Sequence, residues 1–286
     1  MRLQDLDTTD RRSARLISTE RITPDESPEE VRELVLEIPG EAFEASPGQS
    51  IGIIAPGEVA FGQAEHLRLY SVADIPERTS EGATRLRICV RRCDYIDPYN
   101  GERYRGIASN YLCDLTVGDR VTLTGPFGDL FHIPDDPEAA LILIGAGTGI
   151  APFRAFLMHL YRSQPRFDGE VRLFHGGRTG LEMLYRNDVR YDFAQFGDIA
   201  TFEAIEAVSE RPHWDGEIDW TTAIGSRGEE LRAWVLRPHT YIYLAGLESI
   251  RDQLDSAFVK LFGSSETWTR RKAELVAGGR WVEWLY

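Results

Sequence analysis

The feature that most constrains the fold of this chain is an apolar run that ends in closely spaced glycines. Residues 139–144 read AALILI and are followed by GAGTG (145–149) and the amphipathic stretch APFRAFLMHLYRS (151–163). A short apolar run bounded by glycines is typical of a buried strand, and the apolar spacing after it predicts a helix. Glycines let the backbone approach a ligand and a helix N-terminus offers unpaired N–H groups, so this turn is predicted to bind pyrophosphate. A tight structural turn is the alternative, because Ile150 stands where the dinucleotide fingerprint has its third glycine.

The chain changes character at PDDP (134–137). Before it, short apolar segments separated by turn residues predict an antiparallel β-barrel. After it, strand-like segments alternate with helical ones, the latter at 151–163, 181–196, 229–237 and 248–262, which predicts a parallel sheet covered on both faces. The predicted fold is therefore a two-domain chain with an N-terminal arm (1–20), an antiparallel β-barrel (21–136) and a Rossmann-like α/β nucleotide-binding domain (137–286).

Composition excludes several classes of function. The 286 residues include 46 acidic and 32 basic side chains, a formal charge of −14, whereas nucleic acid and anionic lipid both require a cationic face. No apolar stretch approaches the length of a membrane span, and residues 1–20 lack the apolar run of a signal peptide. Three cysteines are too few for a disulfide framework and predict reduced thiols in a cytoplasmic protein, and no metal-ligand spacing is present, so no metal is expected.

Two segments of the first half carry groups suited to an anion. In RLYS (68–71), Arg68 and Tyr70 are two residues apart on a predicted strand, so both point to one face, where the arginine can pair with phosphate. GIAS (106–109) precedes the short helical segment SNYLCDL (109–115), for which Ser109 is the predicted N-cap. Taken singly, RLYS is equally compatible with a solvated arginine beside a core tyrosine, and GIAS with an ordinary helix start.

Taken in order, the motifs resemble those of the plant-type ferredoxin–NADP⁺ reductase family, in which an FAD-binding β-barrel precedes an NADP(H)-binding α/β domain. The resemblance extends from about residue 31 to the C-terminus. It is carried by RLYS (68–71), CVRR (89–92), GIASNYLCDL (106–115), GDRVTLTGPFG (118–128), GAGTGIAPFR (145–154), LFHGGRT (173–179), YLAGL (243–247) and the terminal Tyr286.

This resemblance implies residues for two cofactors. On the flavin side it implies that Arg68 binds the FAD pyrophosphate, that Tyr95 stacks on the adenine, and that Ser71 and Tyr286 are catalytic, Tyr286 by covering the isoalloxazine ring until the nicotinamide enters. The implied FAD set is Arg68, Leu69, Tyr70, Ser71, Cys89, Val90, Arg91, Tyr95, Gly106, Ile107, Ala108, Ser109 and Tyr286. The implied NAD(P) set is Gly147, Thr148, Gly176, Gly177, Arg178, Ser209, Arg211 and Gly246.

The implied activity is hydride transfer between NAD(P)H and flavin and single-electron transfer to a separate ferredoxin-like or flavodoxin-like carrier. The carrier is separate because the chain has no ferredoxin-type cysteine run. An acidic ferredoxin requires a basic face, for which the barrel half offers six arginines: Arg85, Arg87, Arg91, Arg92, Arg103 and Arg105. The alternatives are a flavodoxin or quinone reductase and a flavin-binding redox sensor with little turnover.

The chain departs from the family pattern at the chemistry and at the nucleotide. Ala245 replaces the usual cysteine, and Arg251 stands where the family often has an acidic residue. After the third strand of the α/β half the family reads Ser-Arg, whereas this chain reads Ser209-Glu210-Arg211, and Trp220 stands near the position of a family tyrosine. NADPH is favoured, and NADH is the alternative because Glu210 would repel a 2′-phosphate.

Overall fold

The computed structural model describes residues 3–40, 42–57, 63–128, 131, 134, 136, 139–162, 167–211 and 217–286. The chain divides into two compact units, one of Met1–His132 with Ala151–Arg162 and the other of Ile133–Ile150 with Ser163–Tyr286. The first unit is built on antiparallel strands and the second on a parallel sheet with helices, so the predicted fold class is confirmed. The domain boundaries at 20 and 136 remain a prediction.

The first unit consists mainly of short strands. Its elements are β1 (Arg11–Arg21), β2 (Val31–Ile38), β3 (Ser50–Pro56), β4 (Glu65–Ser71), β5 (Glu77–Arg78), β6 (Thr84–Arg91), β7 (Asp94–Ile96), β8 (Arg103–Arg105), α1 (Ile107–Asp114) and β9 (Arg120–Phe127). Seven of these strands form an antiparallel sheet in the order β4-β3-β9-β1-β2-β6-β5, while β7 and β8 form a separate ribbon. A bridge between Val72 and Ile88 joins the end of β4 to β6 and so brings distant strands of the sheet together.

The core of this sheet follows from the alternation of side chains along each strand. In β2 the even-numbered Leu34, Leu36 and Ile38 point into the core. In β6 the residues that point into it are Leu86, Ile88 and Val90. The odd-numbered arginines of β6 therefore lie on the opposite face of the sheet.

Helix α2 (Ile150–Arg162) carries a buried arginine that ties it to the first unit. Arg154 is 4% exposed, donates from Nη1 to the carbonyl oxygen of Ala73 at 2.7 Å, and lies 3.0 Å from Asp74 Oδ2. Asp74 also pairs with Arg87 at 3.2 Å, and Arg87 continues to Glu33 at 3.2 Å. A chain of alternating charges therefore runs from α2 into the antiparallel sheet.

The second unit is a five-stranded parallel sheet with helices packed on it. Its elements are β10 (Ala140–Ala146), β11 (Glu170–Gly177), β12 (Phe202–Val208), α3 (Trp220–Gly225), α4 (Gly228–Leu236), β13 (Thr240–Gly246), α5 (Ile250–Phe262), α6 (Ser265–Ala277) and β14 (Trp281–Leu285). The strand order is β12-β11-β10-β13-β14. The core includes apolar side chains of β10 and β13 together with residues of α3 to α6. In such sheets ligands bind at the carboxyl ends of the strands.

Two local predictions were wrong. The stretch 181–196, predicted to be a helix, contains only short 3₁₀ turns at Gly180–Glu182 and Asp192–Phe196. Tyr185 between them is fully buried with φ of 60°, a left-handed conformation that no α-helix continues. The N-cap of helix α1 is Gly106 rather than Ser109, and it makes no side-chain hydrogen bond. The sequence analysis did not predict α6 or β14.

No helix in the described ranges is long and apolar enough to cross a membrane. Among the same residues, no group of three or more His, Cys, Asp or Glu side chains is arranged to hold a metal ion.

Candidate active site

The glycine-rich turn after β10 packs closely against the turn after β13. Gly147–Gly149 form one 3₁₀ turn that leads directly into α2. A Cβ on Gly149 would lie 2.3 Å from the carbonyl oxygen of Ala245 and 2.6 Å from the Gly246 nitrogen, so only glycine fits there. Gly147 has φ of 53°, and a Cβ there would meet nothing within 4 Å. Gly149 therefore lets the turn pack directly on β13, while Gly147 leaves the outer side of the turn open, as backbone contact with a nucleotide requires.

The chain terminus joins this turn. Tyr286 donates its backbone N–H to the carbonyl oxygen of Gly246 at 3.0 Å, and its phenol oxygen lies 2.5 Å from Thr148 Oγ1. Thr148 and Gly246, which the resemblance assigned to the nucleotide, thus meet Tyr286, which it assigned to the flavin, at the carboxyl ends of β10 and β13. The parallel register explains this meeting. It pairs Ala245 with Trp284, so Tyr286, two residues later, lies at the same edge of the sheet.

Residues that follow β11 and β12 form the neighbouring part of this edge. Gly177 pairs with Val208 in the parallel register, so Arg178 and Ser209 follow adjacent strand ends. Ser209 Oγ accepts a hydrogen bond from the backbone N–H of Arg211 at 3.1 Å, and Arg211 and Glu210 are exposed.

Two other residues of this region prove to have packing roles. A Cβ on Gly176 would lie 2.4 Å from the Trp220 ring, so this glycine makes room for the tryptophan. Trp220 is itself 1% exposed. Trp220 therefore belongs to the core and does not present its ring to a nucleotide.

The flavin-side residues on β4 differ in exposure. Arg68 is exposed and Leu69 half-buried, while Tyr70 packs on the barrel core and burial raises its pKa well above the usual value. Ser71 ends the strand, with its Oγ 3.4 Å from Ser50 Oγ. The cation that the resemblance assigned to a pyrophosphate thus faces solvent.

On β6 the predicted flavin residues are more deeply placed. The side chains of Cys89 and Val90 are buried, and Val90 lies in the core, which leaves its backbone to contact a ligand. Arg91 is half-buried and lies 3.7 Å from Glu29 Oε2.

The N-terminal turn of α1 is held open by side-chain hydrogen bonds. Asn110 Nδ2 donates to the carbonyl oxygens of Cys93 and Gly106, both at 2.9 Å, and Ser109 Oγ accepts from the Cys93 N–H at 3.2 Å. The N–H groups of Ile107, Ala108 and Ser109 lie in the first helical turn, where no intrahelical acceptor exists. Asn110 was missed as a supporting residue, although it stands inside the SNYL motif.

Tyr95 lies on the β7–β8 ribbon, directly opposite Tyr104. Both rings are exposed, at 58% and 47%, and the Tyr104 hydroxyl donates to Glu102 at 2.5 Å. Tyr95 is therefore available to stack on a planar ligand. Tyr104 was not predicted as its neighbour, because it lies on the adjacent strand and the alternation of side chains within one strand does not reveal it.

The six arginines expected to form a basic face are all paired with carboxylates. Arg85 contacts Glu37, Arg91 contacts Glu29, and Arg87 bridges Glu33 and Asp74. Arg92 and Arg105 share Asp114, Arg92 also contacts Glu30, and Arg103 contacts Asp94. Their charge is compensated locally, so these arginines do not constitute the predicted basic face.

His175, inside the LFHGGRT motif, gives a prediction about acid stability. The side chain is fully buried, both ring nitrogens lack a hydrogen-bond partner, and burial lowers its pKa to about 3, with the Arg186 charge acting in the same direction. Because the unfolded chain takes up this proton at about pH 6.5, the stabilising effect is complete above that pH and is lost as the pH falls.

His175→Phe is expected to make unfolding less acid-sensitive. Between pH 7 and pH 5, the urea-derived free energy of unfolding should fall about 2 kcal/mol less in this variant than in the wild type. His159→Gln, which removes a half-buried imidazole from α2, is the control and should behave as the wild type. Equal acid sensitivity of His175→Phe and wild type would show that His175 does not stay neutral.

The chain is similar in sequence and in fold to known oxidoreductases. Residues 143–252 match the model of the oxidoreductase NAD-binding domain. The chain is 31% identical to the ferredoxin–NADP reductase of Spirulina sp over 93% of this chain and 92% of that protein. It is 36% identical to that of Picosynechococcus sp. over 74% of this chain, but the match spans only 54% of the relative. The solved ferredoxin-NADP+ reductase of Plasmodium falciparum, 20% identical, superposes with a TM-score of 0.69 over 99% of both chains.

The antiparallel unit, the parallel unit and its glycine-rich turn thus define the class, a nucleotide-dependent oxidoreductase. The chain belongs to the ferredoxin–NADP reductase family, as its motifs predicted.

Proposed function

We propose that this chain binds FAD, exchanges a hydride between NADP(H) and the flavin, and passes single electrons between the flavin and a separate ferredoxin-like carrier. The observation that carries the proposal is the meeting of Thr148, Gly246 and Tyr286 at the carboxyl ends of β10 and β13. It joins the open side of a glycine-rich turn to the terminal aromatic residue that the family uses beside the flavin. When bound, FAD supplies the exchange between two-electron and one-electron chemistry.

The residues present fit both cofactors. The first-turn N–H groups of α1 and the exposed guanidinium of Arg68 would hold the FAD pyrophosphate, and Tyr95 would stack on its adenine. The open backbone at Gly147 and Thr148 would receive the pyrophosphate of the nucleotide. Ser71 would orient the flavin through a hydrogen bond from its hydroxyl.

At two positions, 245 and 251, the chain lacks the side chain that is usual in the family. Hydride transfer does not require an acid from either position. Ala245 supplies no thiol, and Arg251 is paired at 2.9 Å with Glu283 on β14, the strand directly before Tyr286. Arg251 therefore acts on the position of β14, while Thr148 and Tyr286 line the place that the nicotinamide would enter.

The test is anaerobic stopped-flow mixing of the FAD-loaded protein with NADPH and, separately, with NADH, followed at the flavin absorption band. Rapid bleaching is expected, faster with NADPH, and adding an oxidised plant-type ferredoxin should restore the colour. FAD-loaded protein that neither nucleotide bleaches would instead be a redox sensor. Bleaching that a quinone or a flavodoxin reverses, but a ferredoxin does not, would contradict the proposed carrier. A protein that takes up no FAD would overturn the proposal as a whole.

We also propose a cytoplasmic location, which the free thiols of Cys89, Cys93 and Cys113 favour.

A further inference from the structure

Arg178, which the sequence assigned to the nucleotide, is held by a carboxylate that no motif singled out. Glu182 accepts from Arg178 Nε at 3.2 Å and lies 2.9 Å from Arg178 Nη2, a two-point contact with the guanidinium. The same carboxylate accepts the backbone N–H of Arg178 at 3.1 Å. The Glu182 side chain is 15% exposed and that of Arg178 is 45% exposed, so the carboxylate lies inside and the guanidinium outside.

The local fold enforces this contact. Glu182 closes the 3₁₀ turn that follows β11, where its N–H donates to the carbonyl oxygen of Thr179 at 3.1 Å. A Cβ on Gly177 would lie 3.1 Å from Met183 Sδ and 3.5 Å from Glu182 Cβ. Glycine at 177 therefore lets the turn fold back on the strand end and brings Glu182 under Arg178.

The pair stands beside the segment expected to receive the second phosphate of NADP(H). Because β11 and β12 are parallel neighbours, Arg178 follows one strand end and Ser209 follows the next. This edge therefore carries two cations, Arg178 and Arg211, and two carboxylates, Glu182 and Glu210. A dianionic 2′-phosphate is attracted by the first and repelled by the second.

We propose that Glu182 is a specificity-determining residue, whose carboxylate orients Arg178 but offsets its charge and so lowers the preference of this site for NADP(H) over NAD(H). The inference rests on the proposed function, since it presumes that the edge binds a nicotinamide nucleotide. A neutral side chain of the same shape at 182 would keep an acceptor for Arg178 and remove one negative charge from beside the cation. The gain should fall on the nucleotide with the extra phosphate, because the two nucleotides differ only there.

The experiment is calorimetric titration of the FAD-loaded protein with NADP⁺ and with NAD⁺ in wild type and Glu182→Gln. The variant is expected to bind NADP⁺ about fivefold more tightly and NAD⁺ within about twofold of wild type. The advantage should shrink at high salt, because the charges are partly exposed. Glu274→Gln, which removes the carboxylate of another Arg–Glu pair on α6, is the matched control and should change neither affinity.

The outcomes separate the inference from the function on which it rests. If the wild type binds neither nucleotide, the proposed function fails. If the wild type binds and Glu182→Gln tightens both nucleotides equally, Arg178 acts on the shared pyrophosphate and the specificity role is wrong. Weaker or unchanged NADP⁺ binding in a variant that melts like the wild type also overturns it. The double variant Arg178→Gln/Glu182→Gln should lose the gain, since the effect of Glu182 passes through Arg178.

Discussion

Gly149→Ala is expected to weaken NADP⁺ binding by about tenfold or more, because the added methyl separates two turns that the nucleotide site needs together. The new Cβ would lie 2.3 Å from Ala245 O, 2.5 Å from its carbonyl carbon and 2.6 Å from Gly246 N. All three are backbone atoms, so no side chain can rotate away. Gly246 also accepts the N–H of Tyr286, and the displacement would therefore reach the terminal ring.

Calorimetric titration with NADP⁺ measures the loss of binding, and urea unfolding should show a destabilisation of about 1–3 kcal/mol from overpacking. Gly225→Ala is the control, because a Cβ there meets nothing within 4 Å and Gly225 has no left-handed conformation. It makes the same chemical change in the same unit and should leave binding unaltered. Wild-type affinity in Gly149→Ala would contradict the close packing of the two turns.

Arg154→Met is expected to destabilise the FAD-loaded protein by about 3–5 kcal/mol, the usual cost of removing one partner of a buried ion pair. Arg154 is 4% exposed and serves both Asp74 and the Ala73 carbonyl oxygen, so the variant leaves the buried carboxylate with only Arg87 and the Ile75 N–H and takes a charged donor from the carbonyl. Methionine preserves much of the side-chain volume, which separates the loss of charge from the loss of packing.

Urea unfolding followed by tryptophan fluorescence measures this effect. Arg162→Met lies on the same helix at an exposed position, and it should change the free energy of unfolding by no more than about 0.5 kcal/mol. Asp74→Asn tests the same network from the other side and should also be destabilising, because two guanidinium groups would then face a neutral amide. Stability of Arg154→Met equal to that of Arg162→Met would show that the buried pair contributes nothing.

The sequence predicted the parts of the site that depend on local chemistry. A glycine-rich turn between a buried strand and a helix is recognisable because glycine is favoured at Gly147 by its positive φ and required at Gly149 by its close approach to β13. The GIAS segment was recognisable for a related reason, since any helix start leaves N–H groups unpaired.

The parts that were wrong depend on partners distant in sequence. The arginines from Arg85 to Arg105 read as a basic face because the carboxylates that pair with them stand on other strands, on α1 or in loops outside the strands. The stretch 181–196 has helical apolar spacing, yet Tyr185 is buried in a left-handed conformation that tertiary packing imposes. The sequence position of Trp220 suggested a contact with the nucleotide, but Gly176 on β11 leaves room for its ring in the core.

By itself, the sequence of this protein determined its family, its two kinds of sheet and the turns able to bind phosphate groups, since each of these depends on residues close together in the chain. Only the tertiary structure decided which charges are compensated, which aromatic rings are exposed, and that Thr148 meets Tyr286 across 138 residues. The reason is physical. The conformation of a glycine turn or a helix start is set mainly by neighbouring residues, whereas burial, electrostatic pairing and the exceptional backbone of Tyr185 are set by the parts of the chain that the fold brings within a few ångströms.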